Sequence, residues 1–402
     1  MSSPKQPDAS RRTFLTGAAS AGALASLPAA KALAQAEPPG TISSDAIKKE
    51  KVAAMEYHSE RPLTGSVPAH EHDFDLTPNN RMYIRNNLLT PLIDINNHRL
   101  TVKGLIDREL SFSVFDLAKN FKTVSMAGML ECAGSGRSNY VPKASGTPWG
   151  QTGGMGCPKW GGVRLQDVLK AAGLKAGAAH VAGQGGDPGM VPTAAPVIRS
   201  VPMRKAMDEN TLIAWSMNDE PLPWIHGYPL RLVVPGWVGS ASTKWLHTIT
   251  VLDAPFKGTY MDSSYRVPRH AVQPGTKMPP DAISTEGWPI KSMITSPAPN
   301  ARFGGGPITV RGHAWVGEGL VERVEISTDE GKTWQNAQLK RSADKYAWST
   351  FTYDFKPAQP GYVTFLARAW DDRGNAQPAI SAWNPLGYFW NGWHRVGVLV
   401  DT

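Results

Sequence analysis

At 402 residues, with 41% hydrophobic and 19% charged side chains, the chain has ample material for a core and exceeds the size at which one core usually keeps growing. That excludes a wholly disordered protein and makes two domains the expectation. The formal charge of +8 is dispersed among acidic residues without a Lys/Arg block, which argues against a nucleic-acid partner and suits anionic small molecules better.

The N-terminus reads as a twin-arginine export signal over residues 1–36. Arg11-Arg12-Thr13-Phe14-Leu15 precedes a Gly/Ala-rich run to about Ala30, and both Ala32-Leu33-Ala34 and Ala34-Gln35-Ala36 fit an A-x-A cleavage site. The run is too short and too diluted with Gly, Ser and Thr to span a bilayer, and no later segment could span one. Removing these residues leaves a mature charge of about +5. The expected location is the periplasm. Because this route exports folded proteins, a cofactor inserted before export is expected.

Residues 37–80 are polar and rich in Pro, Gly and His, which predicts an extended arm with little chemistry, and His70-Glu71-His72-Asp73 reads as a solvated loop. Residues 81–292 mix apolar runs, Leu100-Thr101-Val102 and Leu230 to Val234, with a helical pattern from Leu165 to Ala172, which predicts an α+β domain. Ser296-Pro297-Ala298-Pro299-Asn300 reads as a linker. Beyond it, over residues 293–402, the period changes to two: runs at Ile308–Val310, Val321–Ile326, Trp348–Phe351 and Tyr362–Leu366 alternate with turns such as Asp329-Glu330-Gly331, the pattern of an immunoglobulin-like β-sandwich.

Cys132 and Cys157 are the two cysteines, and in an oxidising compartment they could form one disulfide. The surroundings of Cys132 suggest another use. In Leu130-Glu131-Cys132-Ala133-Gly134-Ser135-Gly136-Arg137-Ser138, glycines let a bulky ligand approach the backbone and the arginine favours thiolate. A thiolate suits a metal already bound by sulfur.

Five segments, taken in order, resemble the sulfite oxidase family of molybdenum enzymes. They are Tyr83-Ile84-Arg85-Asn86-Asn87, the Cys132 loop, Thr147-Pro148-Trp149, the stretch from His226 to Gly236 with Lys244-Trp245-Leu246, and Trp393-His394-Arg395-Val396. The resemblance implies a molybdopterin-binding domain followed by an immunoglobulin-like dimerisation domain, hence a homodimer. It makes Cys132 the protein ligand of molybdenum. It assigns Tyr83, Arg85, Asn86, Asn87, Asp187, His226, Arg231, Ser242, Thr243 and Lys244 to the pterin and its phosphate, where charge-assisted donors are required. It places Arg137, Trp149, Tyr265 and Arg395, with Arg85, around a small oxyanion. Arg395 lies so near the C-terminus that this role requires the tail to fold back over the site.

The activity implied is oxidation of sulfite to sulfate. No C-x-x-C-H haem motif stands in the chain, so electrons are expected to pass singly to a separate c-type cytochrome. The chain departs from the common family pattern at Asn87, where histidine is frequent, and in the Ala-Gly-Ser-Gly-Arg that follows Cys132, which removes one positive charge beside the metal. Cys157 has no family role and is expected to be a packed thiol. Other readings are a related molybdenum enzyme acting on sulfane sulfur or sulfoxides, and a non-catalytic periplasmic binding protein.

Overall fold

The computed structural model describes residues 38–401; the expected export signal lies outside them. The segment expected to be an extended arm is folded. Helix Ser44–Lys48 is capped by Ser43, whose hydroxyl accepts from the Ala46 N–H at 3.2 Å. Strands Glu56–Glu60 and Leu63–Ser66 form a hairpin, and the second pairs with Ile84–Arg85 to complete a three-stranded antiparallel sheet. The polar composition concealed it because Thr64 and Ser66 are buried there, with Thr64 Oγ1 hydrogen-bonded to Ser59 Oγ at 2.7 Å.

The central α+β region is built on two sheets. One has the order Ile198–Pro202, His180–Gly185, Leu246–Leu252, Leu100–Gly104, Leu110–Phe112, and its Leu246–Leu252 and Leu100–Gly104 strands run parallel. The other runs Glu220–Pro221, Leu212–Met217, Lys159–Arg164, Thr123–Ala127, with Arg231–Val233 also pairing Leu212–Met217. The predicted helix is Leu165–Ala172. It buries Leu165, Val168, Leu169 and Ala172, the spacing of a single helical stripe, in the core that Val102, Leu232 and Ile249 share. Gly173 ends it at φ +73, where a side chain would also collide with Asp107.

The C-terminal region is a two-sheet β-sandwich. One sheet contains Lys291–Ser296, Ile308–Trp315, Ser349–Phe355 and Gln338–Lys340. The other contains Arg302–Phe303, His394–Val400, Gly361–Asp371, Val321–Ser327 and Gln335–Asn336. Ile294, Val310, Val324, Phe351, Phe365 and Val398 fill the space between them. The Pro/Asn-rich stretch after Ser296 is a turn within the sandwich rather than a linker, because strand Lys291–Ser296 before it already pairs with Ile308–Trp315.

Two polar clusters fasten the sandwich to the rest. His70–Asp73 is no solvated loop: Ala69–His72 is a 3₁₀ turn, His72 is buried, and its carbonyl contacts His313 Nε2 at 2.8 Å, while the His313 ring stacks on Trp348 at 3.9 Å. Asp73 accepts from Thr295 Oγ1 at 2.8 Å and pairs with Arg311. Deeper in, Lys291 and Glu131, both buried, form an ion pair at 2.7 Å; Trp315 Nε1 donates to the second Glu131 oxygen at 2.8 Å, and Lys291 also reaches Ser135 Oγ at 3.2 Å.

Candidate active site

A cleft opens in the α+β region. Tyr83, Arg85 and Asn87 enter it from the strand that completes the N-terminal sheet. Cys132 and Leu130 come from the short strand Leu130–Glu131 and the turn after it. His226, Arg231, Ser242, Thr243 and Lys244 come from the strand Arg231–Val233 and its flanks, and Asp187 and Tyr265 close the rim. Sequence reasoning thus names eleven residues that line one cavity.

Part of the lining is cationic. Arg231 is buried on its strand between apolar neighbours, and its Nη1 donates to the His226 carbonyl at 2.9 Å, while Nε is buried without a partner. Lys244 Nζ donates to the Ile225 carbonyl at 3.0 Å and contacts Asn86 Oδ1, so Asn86 acts from beneath the cleft. Arg85 donates to Asn87 Oδ1 at 2.8 Å. Burial lowers the pKa of Arg231 to about 10 and takes Lys244 well below its ordinary value. Burial also raises Asp187 to about 6, with Lys244 opposing the rise. Among the described residues, none of Arg85, Arg231 and Lys244 forms an ion pair within 4 Å. Desolvating a charge costs several kcal/mol, so the buried Arg231, with no ion pair among the described residues, favours an anion in the cleft.

The hydroxyls divide differently from expectation. Ser242 Oγ accepts from the Val234 N–H at 2.9 Å and Thr243 Oγ1 contacts the Gly183 carbonyl at 3.4 Å, which commits both to the fold. Among the residues lining the cleft, the buried hydroxyl without a partner is that of Ser240, which the sequence did not single out.

Cys132 also lines the cleft. Its amide donates to the Gly154 carbonyl at 2.8 Å and its carbonyl accepts from Ser135 N–H at 2.8 Å, which fixes a tight turn. Gly136 has φ +84 and the ring of Trp390 lies where a side chain would be, so glycine is required there. Both cysteines are free and buried; Cys157 packs beside Met155 and Trp348, and burial pushes its thiol up to about 12, which matches the expected packed thiol and excludes the disulfide in this structure.

The residues expected around the substrate are only partly gathered. Tyr265 lines the cleft with φ +54, accepts from Asn87 Nδ2 at 3.2 Å and stacks on Tyr388 at 5.7 Å. Trp149 is fully buried in the Cys132 cluster, edge-on to Tyr83 at 6.2 Å, with an indole N–H lacking an acceptor. Arg137 is buried two glycines from Cys132, but Nε and Nη1 donate to the Leu386 and Thr147 carbonyls at 2.9 and 3.2 Å. Arg395 is not at the site. It lies on the strand His394–Val400 between buried His394 and Val396, so the alternation of a strand turns it outward, where it pairs with Glu330. The tail does return to the Cys132 turn, through Tyr388, Phe389 and Trp390: the Phe389 N–H donates to the Ala133 carbonyl at 2.9 Å. Sequence reasoning also missed Arg199, buried 4.9 Å over the Tyr265 ring, and Lys51, which no local motif marks.

A model of the oxidoreductase molybdopterin-binding domain matches residues 87–260, and one of the Mo-co oxidoreductase dimerisation domain matches 283–401. Mitochondrial sulfite oxidase of Mus musculus is 36% identical over 363 residues, covering 86% of this chain and 66% of that protein. Sulfite oxidase of Arabidopsis thaliana is 30% identical, covering 86% and 93% respectively. The chain belongs to the sulfite oxidase family of molybdenum enzymes. This member spans just under two thirds of the mouse protein's length. It also resembles the sulfane dehydrogenase SoxCD of Paracoccus pantotrophus, with TM-score 0.73, 27% identity and coverage of 97% and 96%.

The residues present fit the family's cofactor. The lining offers a free cysteine for the metal, and Arg231 Nε, the Ser240 hydroxyl and cations without an ion pair for a pterin phosphate. Glu131, next to Cys132, points the opposite way and is neutralised by Lys291, so the turn holding the cysteine is pinned from the sandwich.

Proposed function

We propose that the protein oxidises sulfite to sulfate at a molybdopterin centre held by Cys132. The observation that carries this reading is that one cleft is lined by a free cysteine, Cys132, and by Arg231 and Lys244, neither of which forms an ion pair among the described residues. The reaction adds water oxygen to sulfite and releases two protons and two electrons; the bound molybdenum centre supplies the oxygen transfer and takes up the electrons. The chain's own contribution is position and charge. Arg85 and the Tyr265 hydroxyl, linked through Asn87, present donors to an oxyanion, while Arg231 and Lys244 would hold the cofactor. Electrons leave singly to an external c-type cytochrome, the chain is exported by the twin-arginine signal to the periplasm, and the sandwich pairs two copies into a homodimer.

The test compares molybdenum content and sulfite-dependent reduction of ferricyanide or cytochrome c in the native protein and in Cys132→Ala. Near-stoichiometric molybdenum, with turnover lost in the variant, is the expected result; a protein without molybdenum after cofactor-competent expression overturns the reading. One observation favours a second substrate class. With Arg395 outside and Arg137 engaged by carbonyls, the pocket near Cys132 is less cationic than a dianion requires, which suits the sulfane sulfur named for SoxCD. Molybdenum with turnover of a sulfane donor but not of sulfite selects that alternative.

A further inference from the structure

We propose that Lys51 fixes His226 in the tautomer that carries its proton on Nδ1, making His226 a hydrogen-bond donor to the cofactor. The inference rests on reading the cleft as the molybdopterin site. Lys51 lies just beyond helix Ser44–Lys48, outside the residues that the family models match. Its Nζ stands 2.7 Å from His226 Nε2, 2.8 Å from the Asn79 carbonyl and 3.1 Å from the Met82 carbonyl. An ammonium has three donors and no acceptor, so these three partners use it fully and Nε2 must accept. A neutral imidazole carries one N–H, which then resides on Nδ1.

Two further facts make His226 neutral and aim it. It is buried among Lys51, Arg231 and Lys244, whose charges together with burial hold its pKa well below the ordinary value. Its ring makes no other hydrogen bond among the described residues, and His226 lines the cleft. The same short turn, Trp224–His226, gives its Ile225 carbonyl to Lys244 and its His226 carbonyl to Arg231, so three cations are referenced to one piece of backbone. Burial draws Lys51 down to about 7, with the neighbouring Glu50 opposing the fall.

The experiment measures molybdenum and pterin content, and the rate of cofactor loss on dialysis, in Lys51→Met, Lys51→Arg, His226→Leu, His226→Gln and Lys51→Met/His226→Leu. Nitrogen chemical shifts of labelled histidines in native protein read the tautomer directly. Lys51→Met is expected to lose cofactor about 10-fold faster, the scale for removing a group that orients a ligand, and Lys51→Arg to stay near native. His226→Gln, whose amide can accept from Lys51 and donate to the cleft, retains more than His226→Leu, and Lys51→Met adds nothing in the His226→Leu background. An undiminished Lys51→Met effect in that background assigns Lys51 to bracing the Asn79 and Met82 carbonyls and overturns the proposal, as does a shift that places the proton on Nε2. Native protein lacking molybdenum fails the reading of the cleft itself, a result distinct from either.

Discussion

The cleft and the seam beneath it handle buried charge in opposite ways. At the seam, Lys291 is matched by Glu131 with Trp315 and Ser135 completing the network. In the cleft, buried Arg231 and half-buried Lys244 have no carboxylate partner among the described residues and are held by carbonyls, an amide oxygen and the faces of Trp160 and Trp245. The lesson is that burial of a charge says little by itself. A neutralised charge fastens structure, whereas an unneutralised one reserves a place for something else.

Substitutions that delete one charge sharpen this contrast because their effects on folding differ. Lys291→Met leaves Glu131 buried and unpaired and is expected to lower stability by about 3–5 kcal/mol, read as a fall in the urea midpoint. Adding Glu131→Leu recovers most of that loss. Lys244→Met should do the reverse: the cofactor-free protein unfolds at an unchanged or higher urea concentration, while cofactor content falls about 10-fold or more. Equal destabilisation by both substitutions breaks the comparison.

A smaller effect is expected from acid. Burial lowers His72 and His394 from 6.5 to about 3 and His313 to about 4. Each folded-state pKa is depressed, so the unfolded chain takes up protons first. The stability these groups allow is full above about pH 6.5 and is lost as pH falls through the interval toward pH 3. Urea midpoints of native protein and His394→Gln should converge over that interval, the variant having the shallower slope.

What the sequence revealed depended on whether the signal was local. The helix Leu165–Ala172 and the strands after Ile308 announce themselves by apolar period, and Cys132 by its glycines. Arg231 stands out as a charge amid Leu230, Leu232 and Val233. Lys51 carries no such mark, because its meaning arises from contact with His226, remote in sequence. Arg395 shows the converse failure. A motif located the segment, but strand alternation decided which of His394 and Arg395 faces inward, and a one-residue shift exchanges faces. The folded arm was missed because Thr64 and Ser66 are polar yet buried.

The parallel pairing of Leu100–Gly104 with Leu246–Leu252 has a consequence for the order in which the molecule assembles. The hairpin Glu56–Ser66 joins neighbours, so it can close early, whereas the parallel pair must first gather a long stretch of intervening chain. Lys244 lies directly before the later strand, and Lys291 follows it. A nascent chain therefore cannot complete its grip on the cofactor before Lys244 and the strand that follows it have been made.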